Sequence, residues 1–297
     1  MSTNAHVGAS TGRAPIWFIA HGGPPTMYDR QHPAYKHWLR VAREIKESKL
    51  KAIVFISAHW QREDGPSKSV SVNVAETIPL VYDFYGFPKH YYEETFETRN
   101  PEWLSKAVRD QLSSKGYHVE SVERGLDHGV WVPLLAAFGP KLDIPLIQVS
   151  LPPSTRPDQD GIDALQLGAA LRPLRDQGFA IVGGGQPVHN LRDFFRYSQM
   201  GPGVKAPYAQ SFATALTQAL VPPSSHPSKD EDNTTDPRRW DAAKALFLRP
   251  DYRQAHPTSE HLLPALVALG AAHSDEAGTE QIDHIDGALA WNMYRYG

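Results

Sequence analysis

The 297-residue sequence predicts one α/β domain with a central mixed or mainly parallel sheet flanked by helices. Short apolar runs rich in β-branched and aromatic residues, which suit strands covered on both faces, alternate with longer segments that mix apolar and charged residues at helical spacing. Several of the runs end at glycine beside histidine. In open α/β sheets, ligand sites lie beyond the carboxyl ends of the strands, so those endings mark where a site would form.

Residues 1–14 are small and polar with no apolar segment, and they read as a short disordered tail rather than a secretory signal. The first strand is expected at Ile16-Trp17-Phe18-Ile19-Ala20, followed by a helix over Ala34 to Ser48. Ala52-Ile53-Val54-Phe55-Ile56-Ser57 is the second strand, and Pro101 to Lys115 the second helix. Pro101 suits a first helical turn, where its missing N–H costs little. Pro145 to Leu151 and Phe179-Ala180-Ile181-Val182 are further strands, with Asp160 to Gln177 helical between them and Tyr208 to Leu220 helical after them. Val221 to Arg239 is crowded with Pro, Ser, Asp, Asn and Thr and reads as a surface loop. Beyond it lie one apolar helix and a strand-like end, Ala288 to Tyr296, too little for a separate core, so residues 15–297 are expected to form one domain.

Hydrophobic residues at 41% and charged residues at 21% fit a soluble globular protein, expected in the cytoplasm. No apolar run approaches the ~18 residues needed to cross a bilayer. The 30 basic and 33 acidic residues are mixed, with a net charge of −3 and no basic stripe, which argues against nucleic acid as a partner. Cysteine is absent, and that excludes disulfides, thiolate nucleophiles, iron–sulfur clusters and Cys-type zinc sites. Any metal must therefore be held by His, Asp or Glu.

Of the 14 histidines, three terminate or closely follow expected strands: His21 in Ala20-His21-Gly22-Gly23-Pro24, His59 in Ser57-Ala58-His59-Trp60, and His189 after Gly183-Gly184-Gly185-Gln186-Pro187-Val188. Strand ends fix their Cα positions, adjoining glycines let backbone approach closely, and the three are placed to converge. His128 is expected on a loop before an apolar segment, and His261 where a helix begins, because Pro264 is tolerated only near a helix start. Each alone has an ordinary reading as a structural histidine or a turn, and Gly183-Gly184-Gly185 alone could be a phosphate loop. Neither Rossmann spacing nor Gly-Lys-Ser/Thr accompanies those glycines, however. Recurrence of histidine in equivalent places points to a His-rich metal site, which a zinc hydrolase would also use. His256 stands out among the other histidines only as a neighbour of the Glu260-His261 pair.

Six segments in order, running from about Pro15 to the C-terminus, resemble the class III extradiol ring-cleavage dioxygenases, in the DOPA 4,5-dioxygenase branch of the LigB-like family. They are Ala20-His21-Gly22-Gly23-Pro24, Ile56-Ser57-Ala58-His59-Trp60, Asp83-Phe84-Tyr85-Gly86-Phe87-Pro88, Asp127-His128-Gly129-Val130-Trp131, Val188-His189-Asn190-Leu191-Arg192 and Pro257-Thr258-Ser259-Glu260-His261-Leu262-Leu263-Pro264. The resemblance implies that His21 and His59 are metal ligands, that His261 completes the set, and that His189 stands beside the metal as a further ligand or as the acid/base. It implies that His128 lines the substrate pocket and hydrogen-bonds the catechol or the oxygen intermediate.

The implied metal is iron(II) for activity, with zinc able to occupy the site in isolated protein. The implied partners are a catechol-type small molecule and O2, in aromatic catabolism. In the protocatechuate-cleaving branch the third ligand is a glutamate, which leaves Glu260 as the alternative to His261. Gly23 and Gly184 depart from the pattern, since relatives often carry serine there. Trp60, Tyr82, Phe84, Tyr85 and Phe87 suit the walls of a flat aromatic pocket. A zinc hydrolase and a non-catalytic binding protein are the competing readings, and oligomeric state stays open.

Overall fold

The structure, a computed structural model, describes residues 12–221 and 235–297. Residues 1–11 of the expected tail and residues 222–234 of the expected loop lie outside the described residues.

Eleven strands are described: β1 (Ile16–Ala20), β2 (Ala52–Gln61), β3 (Ser69–Asn73), β4 (His118–Val122), β5 (Leu146–Leu151), β6 (Phe179–Gly185), β7 (Val188–His189), β8 (Gly278–Ile282), β9 (Ile285–Asp286), β10 (Leu289–Ala290) and β11 (Met293–Tyr296). Eight of them form one sheet in the order β4-β3-β5-β2-β6-β1-β11-β8. The four central strands β5, β2, β6 and β1 run parallel. At the flanks β3 opposes β5, and β11 opposes both β1 and β8, so the sheet is mixed, as expected. A small second sheet joins β7, β10 and β9.

The central strands are apolar along their length because both faces are covered. Successive side chains point to opposite faces, and Ile16 and Phe18 of β1 join one core while Trp17 and Ile19 join the other. Helices α1 (Pro33–Glu47), α2 (Glu102–Ser114), α3 (His128–Phe138) and α4 (Pro157–Leu171) supply the first half of the cover. The rest comes from α5 (Leu191–Ser198), α6 (Pro207–Leu220), α7 (Pro237–Ala245), α8 (Tyr252–Ala255) and α9 (Leu263–Ala271). Trp38 of α1 and Trp131 of α3 pack on the Trp17 face, whereas Leu165 of α4 and Leu266 of α9 pack on the Phe18 face. Among the described residues no helix is long and apolar enough to cross a membrane.

Two expectations change. His128 opens α3 instead of lying on a loop; the helix is missed in sequence because Gly129 and Pro133 sit inside it and its first seven residues are all buried, leaving no polar face to mark a period. Pro101 is the N-cap of α2, one residue ahead of the first turn.

Gly183-Gly184-Gly185 is no phosphate loop: all three residues are buried in β6. A Cβ at Gly183 would stand 2.4 Å from the Pro264 carbonyl oxygen, and one at Gly185 2.4 Å from that of His261. On the opposite face, a Cβ at Gly184 would stand 2.6 Å from Phe55 Cε1 and 3.0 Å from the Gly129 carbonyl oxygen. The missing side chains let the approach to α9 and the first turn of α3 lie directly on the strand. Gly184 and Gly23 should thus respond oppositely to serine. Gly184→Ser should destabilise by ~1–3 kcal/mol through overpacking. Gly23→Ser, where the nearest atom is 3.6 Å away, should stay within ~0.5 kcal/mol of the parent. Urea unfolding of both variants checks this, and equal midpoints would refute the packing account.

Candidate metal centre

Five histidines meet at the carboxyl end of the central strands. His21 follows the last residue of β1, and its backbone N–H donates to the Gly185 carbonyl at 3.0 Å. His59 lies in the last third of β2, past the point where the regular register with β5 ends at Ile56. His128 is the first residue of α3, and His189 in β7 pairs with Leu289 of β10. His261 lies in the turn before α9, and its carbonyl accepts from the Gln186 N–H at 2.9 Å.

The rings of His21, His59 and His261 form a nearly equilateral triangle, with centroids 4.8, 5.0 and 5.3 Å apart. In all three, Nε2 is buried and without a hydrogen-bond partner. The other ring nitrogen faces an oxygen that can only accept: His21 Nδ1 meets the Gly22 carbonyl at 2.8 Å, and His261 Nδ1 meets Glu260 Oε1 at 3.0 Å. His59 Nδ1 is 3.5 Å from Asp83 Oδ2. The hydrogen-bond acceptors of His21 and His261 draw the proton to Nδ1 and leave a bare lone pair on Nε2 for a metal, and the longer contact of His59 with Asp83 favours the same tautomer.

Three buried Nε2 atoms without partners, on rings whose centroids lie 4.8 to 5.3 Å apart, are a donor set that a divalent cation could satisfy. Protonation states agree. Burial, then the nearby His128, pulls His21 from 6.5 down to about 4. Burial, then His128, holds His59 well below 6.5, and burial, then His189, does the same to His261. Near neutral pH these rings are uncharged and able to bind a cation.

His189 stacks on His261 with centroids 3.5 Å apart and planes 9° from parallel. Burial, then His21, pulls it down to about 3. His128 lies 4.0 Å from His59 and 5.4 Å from His21 by ring centroid. All five site histidines expected from sequence are therefore brought together, and among the described residues two groups have ligand atoms within 4.8 Å of one another: His21 with His59 and His128, and His189 with Glu260 and His261. Of the aromatic wall, Phe84 stands 6.0 Å from the His128 ring, whereas Tyr85 is 93% exposed and turns away.

Sequence reasoning missed the residues that hold the histidines. Asp127, fully buried, accepts from Ser57 Oγ and Gln148 Nε2, both at 2.6 Å, and from Arg124 Nη1 at 2.8 Å. Ser57 Oγ in turn accepts from the His59 N–H at 3.1 Å, and Arg124 Nη2 donates to the His59 carbonyl at 3.1 Å, so the ligand's backbone is held at both ends. His256, fully buried, donates from Nε2 to the Pro187 carbonyl at 2.8 Å and anchors the turn ahead of His189. Asp83 meets both His59 and His128; burial pushes its carboxyl up, and hydrogen bonds from His128 outweigh that and hold it below its ordinary value. Most of these contacts span tens of residues, and only the fold brings them together.

Fold and site together define an α/β chain with a buried imidazole cluster, suited to a divalent cation, at the carboxyl end of a parallel sheet core. Residues 13–293 match the family described as the catalytic LigB subunit of aromatic ring-opening dioxygenase. The chain is 33% identical over 283 residues to a 4,5-DOPA dioxygenase extradiol of Beta vulgaris, covering 94% of this chain and 95% of that protein. A protein of the same name from Mirabilis jalapa is 33% identical over 258 residues, covering 86% of each. The crystal structure of an uncharacterized protein from Escherichia coli K12 shares the fold with a TM-score of 0.72 at 24% identity, covering 96% of this chain and 100% of that one. The chain belongs to the LigB family of aromatic ring-opening dioxygenases. Its class is extradiol ring-cleaving dioxygenase, an oxidoreductase.

The depressed imidazoles imply a pH dependence. Between 6.5 and about 4 the unfolded chain binds a proton at His21 that the folded chain refuses, so stability falls as pH drops through this window. The melting temperature of metal-stripped protein should decline from pH ~6.5 to ~5, above the range where most carboxylates titrate. His21→Gln should make the decline shallower by one group's share, because His59, His189 and His261 are held low in the same way, and a slope identical to wild type would refute the assignment.

Proposed function

We propose that this protein is an iron(II)-dependent extradiol dioxygenase that opens a catechol-type ring with O2 to a muconic semialdehyde. The observation that carries the reading is the triangle of unpartnered Nε2 atoms on His21, His59 and His261, in a chain of this family. Three neutral ligands on one side of an ion leave positions open for two substrate oxygens and O2. Bound there, iron(II) would supply Lewis acidity toward a substrate hydroxyl and redox contact between an electron-rich ring and O2.

The remaining residues handle the substrate and its protons. His189 is the acid/base in this reading, and its stacking on His261 supports that role over ligation. In-plane lone pairs of two parallel rings 3.5 Å apart do not converge on one ion. Uncharged near neutral pH, His189 has a ring nitrogen free to receive a proton from a substrate hydroxyl, and in this reading the substrate's negative oxygens raise its proton affinity from the depressed value of the empty site. His128 faces the same space, with Phe84 against its ring. Glu260 acts from behind His261, fixing the ring and raising its basicity, so the carboxylate supports the third ligand without replacing it.

The adjacent pair gives a direct test. His261→Ala should lose stoichiometric metal on dialysis, as should His21→Ala and His59→Ala. Glu260→Ala should keep its metal with affinity lowered about 10- to 100-fold. If Glu260→Ala alone loses metal, the third ligand is the carboxylate.

Imidazole ligands suit zinc as well as iron, and zinc stands above iron(II) in affinity, so isolated protein can carry the wrong ion. Zinc-loaded protein should be inactive, and iron(II)-loaded protein should consume O2 and generate visible absorbance with a catechol. L-DOPA is the first to try, because the Beta vulgaris and Mirabilis jalapa relatives are named for its cleavage. Equal O2 uptake by the two forms would refute the proposal, as would ester hydrolysis by the zinc form with no catechol cleaved by the iron form.

A further inference from the structure

Asp83 is the residue through which two of the five histidines are joined. It sits on a segment fixed just before it, where the Val81 N–H donates to the Leu126 carbonyl at 2.7 Å and the Leu126 N–H donates to the Pro79 carbonyl at 2.8 Å. Those bonds dock the segment on the residues that lead into His128. A single oxygen, Asp83 Oδ1, then accepts from the backbone N–H of His128 at 2.9 Å and from its ring Nδ1 at 3.0 Å. The other oxygen, Oδ2, is 3.5 Å from His59 Nδ1.

The backbone bond has a clear structural use. His128 N–H is the first of α3, and an anion at a helix N-terminus is stabilised by the unpaired N–H groups and the helix dipole. Asp127, the N-cap residue, makes no side-chain cap because its carboxylate is engaged by Ser57, Gln148 and Arg124. Asp83 therefore caps the helix from forty-five positions away. A cap explains nothing about the ring, however. An ionised carboxylate only accepts, so a ring nitrogen 3.0 Å from it must carry a proton. Because the same oxygen binds backbone and ring, turning the imidazole over would break the ring bond while the backbone bond held it in place.

We propose that Asp83 is a positioning residue that fixes the His128 proton on Nδ1, so that His128 meets a substrate hydroxyl with the bare lone pair of Nε2, as an acceptor. The inference rests on the dioxygenase reading for the identity of the substrate, and on the two oxygen contacts for the tautomer. Of the two neutral tautomers, the carboxylate contact selects the one with Nε2 bare, on a ring that lies 4.0 Å from the His59 ring. Phe84, next to Asp83, packs against the His128 ring, so one short segment both orients the ring and covers it.

The test is nitrogen-15 NMR of imidazole-labelled full-length protein, metal-stripped and zinc-loaded, with His128 identified by the signal missing from His128→Gln. Protonated and bare ring nitrogens resonate apart. Wild type is expected to show Nδ1 protonated and Nε2 bare at His128. In Asp83→Asn an amide N–H can face the ring and favour the other tautomer, as when an amide replaces the carboxylate behind a catalytic imidazole. That variant should show Nε2 protonated at His128 and a kcat for catechol cleavage, expressed per bound metal because Asp83 also faces His59, lower by about 10- to 100-fold. His128 protonated at Nε2 in the wild type would overturn the proposal, as would an Asp83→Asn protein with unaltered tautomer and turnover. Should the variant fail to fold, the wild-type spectrum still decides. If iron-loaded wild type cleaves no catechol, the dioxygenase reading falls while the tautomer measurement stands.

Discussion

Three clustered histidine nitrogens buried without partners are unfavourable in the metal-free protein, and much of the surrounding structure holds them there. A buried polar atom without a partner costs about 1–3 kcal/mol, and His21, His59 and His261 each leave Nε2 in that state. Rings left free would turn to find partners. They do not, because Nδ1 of His21 and of His261 is hydrogen-bonded and the backbone of each is bonded to β6 or to the turn after it. His59 is held more tightly through its backbone, by Ser57 and Arg124, than through its ring contact with Asp83 at 3.5 Å. A cation binding all three lone pairs removes the penalty, and binding to the folded state alone raises stability by mass action.

This convergence needs a thin strand. β6 lies between β1 and β2, the strands that deliver His21 and His59. The segment carrying His261 crosses one face of its last residues, and α3 with His128 lies on the other. Side chains at Gly183, Gly184 and Gly185 would push both away. The Gly-rich run and the histidines are thus one feature: glycine sets the separation at which histidines from different segments meet.

What the sequence made legible follows from this geometry. β1, β2, β5 and β6 are buried on both faces, so their apolar runs could be read directly, and His21, His59 and His189 could be placed from those strand ends. β3 and β4 could not. Ser69, Ser71 and Asn73 of β3 are polar yet buried, with Ser71 N–H donating to Ser150 Oγ and Asn73 Nδ2 to the Arg124 carbonyl. β4 is an exposed edge carrying His118 and Glu120, and polar edges carry no apolar signature. α3 was hidden by Gly129 and Pro133. Neighbouring residues gave no sign that the Glu260 carboxylate meets the His261 ring, or that Asp83 reaches His128. Such roles depend on which atoms the fold brings within hydrogen-bond distance.

Charge accounts for the carboxylates behind the ring. The three proposed ligands are uncharged, so the charge of a bound divalent cation must be balanced from further out. Asp83 beside His59 and Glu260 beside His261 supply two negative charges. Asp127 is already matched by Arg124 at 2.8 Å and adds little net charge. A doubly charged ion held there would therefore be neutralised before the proposed substrate arrived, in a buried setting where unbalanced charge is strongly disfavoured. A catechol that bound as a dianion would reverse that balance unless its protons stayed nearby. His189, uncharged near neutral pH, and His128, with Nε2 proposed bare, are bases placed to keep them. Each proton so retained puts a positive imidazolium beside the substrate's negative oxygens, and the site can accept an anionic ring without a net change in buried charge.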